Sequence, residues 1–355
     1  MKMKRKRKKH CLKIVLAFLS ISLIACQPTI QSNPESTDKT MPGKGVKVSS
    51  GSSITTYAAF LTEVINIGLE KLGYQTEAVK QLSVPVVHIS VSNGELDFYT
   101  DHWEKLQNKF FIENGGEDKF QRVGIIVDNA LQGYQIDKKT ADKYKITSLE
   151  QLKNPKIAQL FDSDGDGKAN LAGCNPGWGC ELVIEHHLDV YGLRDTVEHD
   201  QGNYDILLAD VVARNRLEKP ILYYLYTPHW IPAVLEPGKD AIWLEVPFTS
   251  LPKEQGEVSE QETMLDGKNL GIAVDRVRIV ANNKFLQANP AAKRLFELVS
   301  IPIEDVNAQQ KLVQDGESNS KDFRRHAEEW IKKNQEKFDG WVEEARNTGT
   351  NLSEK

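Results

Sequence analysis

Cys174-Asn175-Pro176-Gly177-Trp178-Gly179-Cys180 places two thiols six positions apart around turn-forming residues and one large aromatic. Such a pair can close a seven-residue ring and stiffen a loop that would otherwise lose conformational entropy on binding. Trp178 would stand at its apex. Apolar Leu182, Val183, Leu188 and Val190 mark residues 181–192 as a helix. The amides of Gly179 and Cys180 then lie at a helix N-terminus, where anions bind. An indole face beside a positive helix end suits a zwitterion, with its cation on the ring and its carboxylate on the amides. The same spacing also fits a structural turn around a core tryptophan.

Other side chains point to different chemistry. Asp162-Ser163-Asp164-Gly165-Asp166-Gly167 supplies oxygen ligands at positions 1, 3 and 5 of a calcium loop and glycine at position 6, but position 12 is Gly173 where a bidentate glutamate belongs. This is either a weak calcium site on Asp162, Asp164 and Asp166 or a plain Asp/Gly turn. Glu185, His186 and His187 are consecutive on one helix and point about 100° apart, so they do not face a common ion. His102 and His229 each adjoin a tryptophan and read as packing or surface residues. The chain has no G-x-S-x-G elbow, P-loop, H-E-x-x-H pattern or C-x-x-C pair. No catalytic set is visible, and an enzyme is not expected.

The elements that must position these residues alternate between strand and helix. Residues 46–48 read as a strand and 54–72 as a helix stopped by Gly73. Residues 86–91 and 96–99 read as strands with Asn93-Gly94 turning between them, and 103–112 as a helix, so Trp103 sits just beyond a strand end. Ligands of open α/β sheets collect at that end. Strands at 123–127 and 132–136 lead to short helices at 140–144, 149–152 and 157–161. A helix at 203–217 and strands at 220–225 and 241–246 follow, with Tyr226 again after a strand end. Residues 277–281 return the chain to the first lobe, and 291–299, 305–315 and 321–344 are helical, with Trp330 and Trp341 as packing anchors of the last helix. About 310 residues exceed one compact core. The body therefore reads as α/β in two lobes, one from 46–133 with 277–355 and the other from 134–276, which carries the cysteine ring.

The N-terminal end says where the chain works. Residues 1–13 carry eight Lys and Arg and no acid, and a short apolar run over 14–25 follows, the pattern of a secretory signal. That run is too short for a transmembrane helix. Leu23-Ile24-Ala25-Cys26 matches the bacterial lipoprotein cleavage pattern, with Cys26 as the lipidated residue and residues 1–25 removed. Without the signal's eight bases, 37 basic residues face 50 acidic ones, so the whole-chain charge of −5 becomes a net charge near −13, which argues against nucleic acid as partner. Of four cysteines, Cys11 leaves with the signal and Cys26 takes the lipid, so Cys174 and Cys180 remain to pair. An exported setting permits that disulfide, which contributes about 2 kcal/mol for so small a ring. Residues 27–45 are rich in Pro, Ser, Thr, Asn and Gln. With Cys26 they read as a disordered tether (26–45) reaching about 25 Å.

Several of these stretches resemble one family. Cys174-Asn-Pro-Gly-Trp-Gly-Cys180, Gln201-Gly-Asn-Tyr204, residues 220–230 and Ala281-Asn-Asn-Lys284 are similar to the glycine betaine/proline betaine-binding proteins of osmoprotectant ABC importers. Gly133-Tyr-Gln-Ile-Asp-Lys-Lys-Thr-Ala-Asp142, residues 161–168 and Phe338-Asp-Gly-Trp341 extend the likeness over about residues 45–345. The resemblance implies a two-lobed type II periplasmic substrate-binding fold, each lobe a central sheet flanked by helices, closing on a quaternary ammonium ligand in an aromatic box. It places the box on Trp103, Trp178 and Tyr226 and the ligand carboxylate on the amides of Gly179 and Cys180. It implies an ABC permease as partner, a lipid anchor to the cell envelope at the periplasmic or outer face of the cytoplasmic membrane, no required cofactor, and a monomer. Two positions depart from a close relative within the family: Tyr226 replaces a tryptophan, a weaker π face, and Gln107 replaces a histidine that helps hold the carboxylate. Choline, carnitine or ectoine as cargo on the same fold is the nearest alternative. A calcium-dependent extracellular module or a lipoprotein enzyme is a remote one.

Overall fold

The computed structural model describes residues 41–353, so the signal segment, Cys26 and the tether as far as residue 40 lie outside the described residues. Residues 41–45, read as the end of the tether, form a hydrogen-bonded turn. Gly43 donates to the Leu72 carbonyl at 3.0 Å, and the ring of Tyr74 lies so close to it that a Cβ would overlap.

Two five-stranded sheets carry the body. In the first, the order is Lys80–Gln81, Ser50–Ser52, Phe98–Trp103, Asp275–Asn282, Phe120–Ala130. Its first three strands run parallel, and Asp275–Asn282 pairs antiparallel with both of its neighbours. In the second, the order is Ala241–Trp243, Gln132–Asp137, Leu222–Tyr226, Ala169–Ala172, Val197–Asp200. The last three of these are mutually parallel. Phe98–Trp103, Gln132–Asp137 and Leu222–Tyr226 are buried at every residue, as strands covered on both faces must be. Leu131 alone separates a strand of the first sheet from a strand of the second. It is braced by Thr227, whose amide donates to the Leu131 carbonyl at 2.9 Å and whose hydroxyl accepts from the Leu131 amide. The chain returns to the first sheet between Trp243 and Asp275. Both crossings lie beside residues that line the cavity described below.

Three local expectations differ from the structure. Residues 86–91, read as a strand from their β-branched content, lie in the helix Val84–Asn93. Pro85 opens that helix and Gly94, at φ 77°, closes it, which are the positions these residues favour. Val87 and Val91 are buried on its inner face while Val86 and Ile89 are exposed, a spacing of four that six residues hide within a short apolar run. The helix expected from Trp103 to residue 112 forms only at Asn108–Glu113, because Trp103 ends the preceding strand and residues 104–107 form a turn. The helix expected over 321–344 is two, Ser320–Lys333 and Gln335–Ser353. Asn334 breaks it, donating to the carbonyls of Trp330 and Ile331, and the apolar period continues across the break. Trp330 and Trp341 then stack at 6.4 Å between ring centres from different helices.

Asp275 fastens the turn at 104–107 to the first sheet. Only 1 % exposed, it accepts from the amides of Lys105 (3.0 Å), Leu106 (3.0 Å) and Arg276 (2.8 Å). Burial pushes its pKa up to about 6, against those bonds. A carboxyl that is a weaker acid folded than unfolded (about 3.9) adds stability that is complete below about pH 4 and lost as pH rises through 6. The melting temperature of the unliganded protein should therefore rise between pH 7 and pH 5, and Asp275→Asn should reduce that slope. An unchanged slope in calorimetric scans of the variant would contradict this origin.

Candidate functional site

Aromatic residues at the ends of five elements meet in one place. Trp103 ends the strand Phe98–Trp103, and Tyr226 ends Leu222–Tyr226. Tyr57 is in the first turn of the helix Thr56–Lys71, and Tyr204 opens the helix Tyr204–Arg216. Trp178 is the N-cap residue of Gly179–Val190, with the extended backbone such a position takes (φ −82°, ψ 157°). Tyr226 is the hub. Its ring centre lies 5.7 Å from Trp103, 6.1 Å from Trp178 and 6.2 Å from Tyr57, all edge-on, and stacks on Tyr204 at 5.1 Å and 24°. Burial holds the phenols of Tyr57, Tyr204 and Tyr226 well above the usual tyrosine range, so these rings stay neutral.

Cys174 and Cys180 close the ring as a disulfide. Asn175, inside it, accepts from the Tyr204 amide at 2.9 Å, which ties the loop to the helix that presents the stacked tyrosine. Glu181 accepts from the Gly177 amide at 2.7 Å across the turn. Gly179 and Cys180 are the first two residues of their helix, so their amides have no intrahelical acceptor. Both line a cavity that Trp103, Trp178, Tyr226, Tyr57 and Gln107 also line. The six residues singled out for ligand contact in the sequence thus border one space. Gln107 is 4 % exposed, and its Oε1 has no hydrogen-bond partner among the described residues.

Sequence reasoning passed over Tyr57, Tyr204 and Asp101. Asp101 stands two residues before Trp103 and therefore on the same face of the strand, which is the signal that could have found it. It is 1 % exposed. Its Oδ1 accepts from the Tyr57 hydroxyl and from Trp103 Nε1 (3.0 Å), and its Oδ2 from the hydroxyls of Ser53 and Thr55 (3.2 Å). Trp103 Nε1 also donates to the Tyr57 hydroxyl at 2.7 Å. Burial pushes the Asp101 carboxyl up to about 6, opposed by these four donors.

The calcium candidates lie elsewhere, between residues 159–161 and the strand Ala169–Ala172. Carboxylate oxygens of Asp162, Asp164 and Asp166 fall within 4.8 Å of one another. Asp162 accepts from the amides of Gly165 and Gly167, Asp164 from Asp166, and Asp166 from Lys168. Backbone bonds account for the loop's shape, and Gly173 at the twelfth position has no side chain to offer. The donor set is a poor fit to calcium.

The family model described as the substrate binding domain of the ABC-type glycine betaine transport system matches residues 46–333. The chain belongs to this family. It is 45 % identical over 305 residues to the glycine betaine/proline betaine-binding periplasmic protein of Escherichia coli (strain K12), covering 86 % of this chain and 92 % of the relative. It is 45 % identical over 307 residues, with the same coverage, to the glycine betaine-binding periplasmic protein OusX of Dickeya dadantii (strain 3937). Among solved structures, the glycine/betaine/L-proline-binding protein ProX of Borrelia burgdorferi superposes with a TM-score of 0.66 at 18 % identity, covering 85 % of this chain and 99 % of that one. A choline binding protein in complex with choline gives 0.65 at 19 % identity, covering 86 % and 97 %. At such identities these two establish the type of fold. Within this transport family the chain is a substrate-binding protein and not an enzyme. No helix among the described residues is long and apolar enough to cross a membrane.

Proposed function

We propose that the chain captures glycine betaine or proline betaine in the aromatic cavity and delivers it to an ABC permease for osmoprotectant uptake. The convergence of Trp103, Trp178 and Tyr226 beside the unbonded amides of Gly179 and Cys180 carries this reading. A trimethylammonium group donates no hydrogen bonds and is poorly hydrated, so a cage of rings offers an attraction that water does not match. At about 1 to 2 kcal/mol for each desolvated ring, together with a clamp on the carboxylate, micromolar binding, about −8 kcal/mol, is reached after the costs of association. Trp103 and Tyr57 come from the elements around the first sheet, and Trp178, Tyr204 and Tyr226 from those around the second. Ligand therefore favours the form in which two lobes, 46–133 with 277–355 and 134–276, are closed, and that form is what the permease recognises. The protein works as a monomer tethered by a lipid on Cys26. Mass spectrometry of the exported protein should find a diacylglyceryl adduct there.

Calorimetric titration with glycine betaine, proline betaine, choline, carnitine, ectoine and unmethylated glycine tests the reading. Micromolar binding of the betaines with none of glycine is expected, and silence with every methylated ligand would overturn it. Gln107 sets the strength of the carboxylate clamp. A neutral donor contributes about 1 kcal/mol where a charged one contributes about 1.5 to 3. Gln107→His should then tighten glycine betaine about tenfold at pH 6 and leave tetramethylammonium, which has no carboxylate, unimproved. Equal gains for both ligands would remove Gln107 from the carboxylate.

A further inference from the structure

Asp101 is a buried carboxylate in the cavity wall whose partners are all uncharged. Ser53, Thr55, Tyr57 and Trp103 supply its hydrogen bonds, and it takes part in none of the ion pairs among the described residues. A buried charge without a counter-charge is costly, and although four neutral donors and the N-terminus of the helix Thr56–Lys71 ease that cost, no cationic side chain pairs with Asp101 among the described residues. Two of its donors, the Tyr57 hydroxyl and the Trp103 indole N–H, belong to rings that line the cavity. Hydrogen bonding to an anion pushes electron density into both rings and deepens the negative potential on their faces.

Resting on the aromatic-cavity reading above, we propose that Asp101 is a specificity-determining residue whose missing counter-ion is the ammonium of the ligand, so that the site favours quaternary ammonium cations without a carboxylate more strongly than a cage of neutral rings would. The anion acts on the bound cation directly and through the rings of Tyr57 and Trp103. A zwitterion gains less, because its carboxylate is repelled by the same charge and must be held away from it, on the amides of Gly179 and Cys180. The titratable groups that face Asp101 are Tyr57 on the helix Thr56–Lys71, Tyr99 on its own strand and Tyr226 on Leu222–Tyr226. All three phenols are pushed above the usual tyrosine range and stay neutral at working pH, so Asp101 is the group among them that changes charge between pH 5 and 7.5.

The test is calorimetry of the wild type and Asp101→Asn with tetramethylammonium and with glycine betaine at pH 7.5 and pH 5. The wild type should lose several-fold, up to about tenfold, in tetramethylammonium affinity at pH 5, as the carboxylate takes up its proton. Asp101→Asn should bind tetramethylammonium at least tenfold more weakly than the wild type at pH 7.5, show no such pH dependence, and lose less for glycine betaine than for the cation. Equal affinity of both proteins for tetramethylammonium, or a pH profile that persists in the variant, overturns the proposal. So does a wild type that binds glycine betaine but not tetramethylammonium, and in that case the aromatic-cavity reading stands. A wild type that binds neither removes both. Should Asp101→Asn fail to fold, the wild-type pH profile decides, and a flat one overturns the proposal.

Discussion

Trp178→Ala should raise the dissociation constant for glycine betaine at least about 30-fold, or about 2 kcal/mol, while the protein stays folded. The ring contributes a cation face in a desolvated site, where the attraction reaches about 2 kcal/mol. Removing it also opens the wall between Tyr204 and Tyr226, with which Trp178 packs at 5.7 and 6.1 Å, and admits water to the cation. Stability should change little. Trp178 is only half-buried, the disulfide between Cys174 and Cys180 holds the loop without it, and its role as N-cap uses backbone geometry, with no side-chain bond to lose. Calorimetry gives the affinity and circular dichroism the fold. Micromolar binding retained by a folded variant would refute the assignment of Trp178 to the ligand.

The second large effect is expected at Gly179. A Cβ there would lie 2.3 Å from the Leu106 carbonyl oxygen and 2.7 Å from Leu106 Cγ. The oxygen belongs to the backbone of the turn that Asp275 fastens, so it cannot rotate aside as a side-chain tip would. The Gly179 backbone needs no left-handed conformation, since it starts an ordinary helix, and alanine is unstrained there in isolation. Gly179→Ala therefore acts on the approach of the second sheet's elements to the first and leaves local folding alone. It should hold the lobes apart by about an ångström or more, since packed surfaces do not absorb such an overlap. Betaine affinity should fall at least about tenfold with melting temperature nearly unchanged. Small-angle scattering should show no ligand-induced compaction in the variant. Wild-type affinity together with normal compaction would mean that the contact between Gly179 and Leu106 is not part of closure.

What the sequence made legible was local. The cysteine ring, the tryptophan at its apex and the helix that starts at Gly179 could all be read from seven consecutive residues, because ring size, turn formers and helix onset are short-range properties. The strand end at Tyr226 was legible to within a residue for the same reason, whereas the strand before Trp103 runs four residues past the expected end at Tyr99 and takes in Trp103 itself. Tyr57 was not, because a tyrosine in the first turn of an apolar helix has the same pattern whether it faces the core or a ligand. Tyr204 sat inside a quoted motif without a role, since its stacking on Tyr226 depends on how the helix Tyr204–Arg216 meets the second sheet. Asp101 is one acid in an otherwise aromatic and polar strand, and nothing in the spacing says that Ser53 and Thr55, 48 and 46 residues away, fold over it. The helix Val84–Asn93 was misread because β-branched residues favour strands on average, while here Pro85 and Gly94 fix its ends.

The most direct measurement is a crystal structure of the protein from residue 27 onward with glycine betaine bound. The trimethylammonium group should lie among the rings of Trp103, Trp178, Tyr226 and Tyr57, on the Asp101 side of the cavity, with the carboxylate accepting from the amides of Gly179 and Cys180. Betaine found outside this cavity, or within it with the carboxylate turned toward Asp101, would contradict this placement.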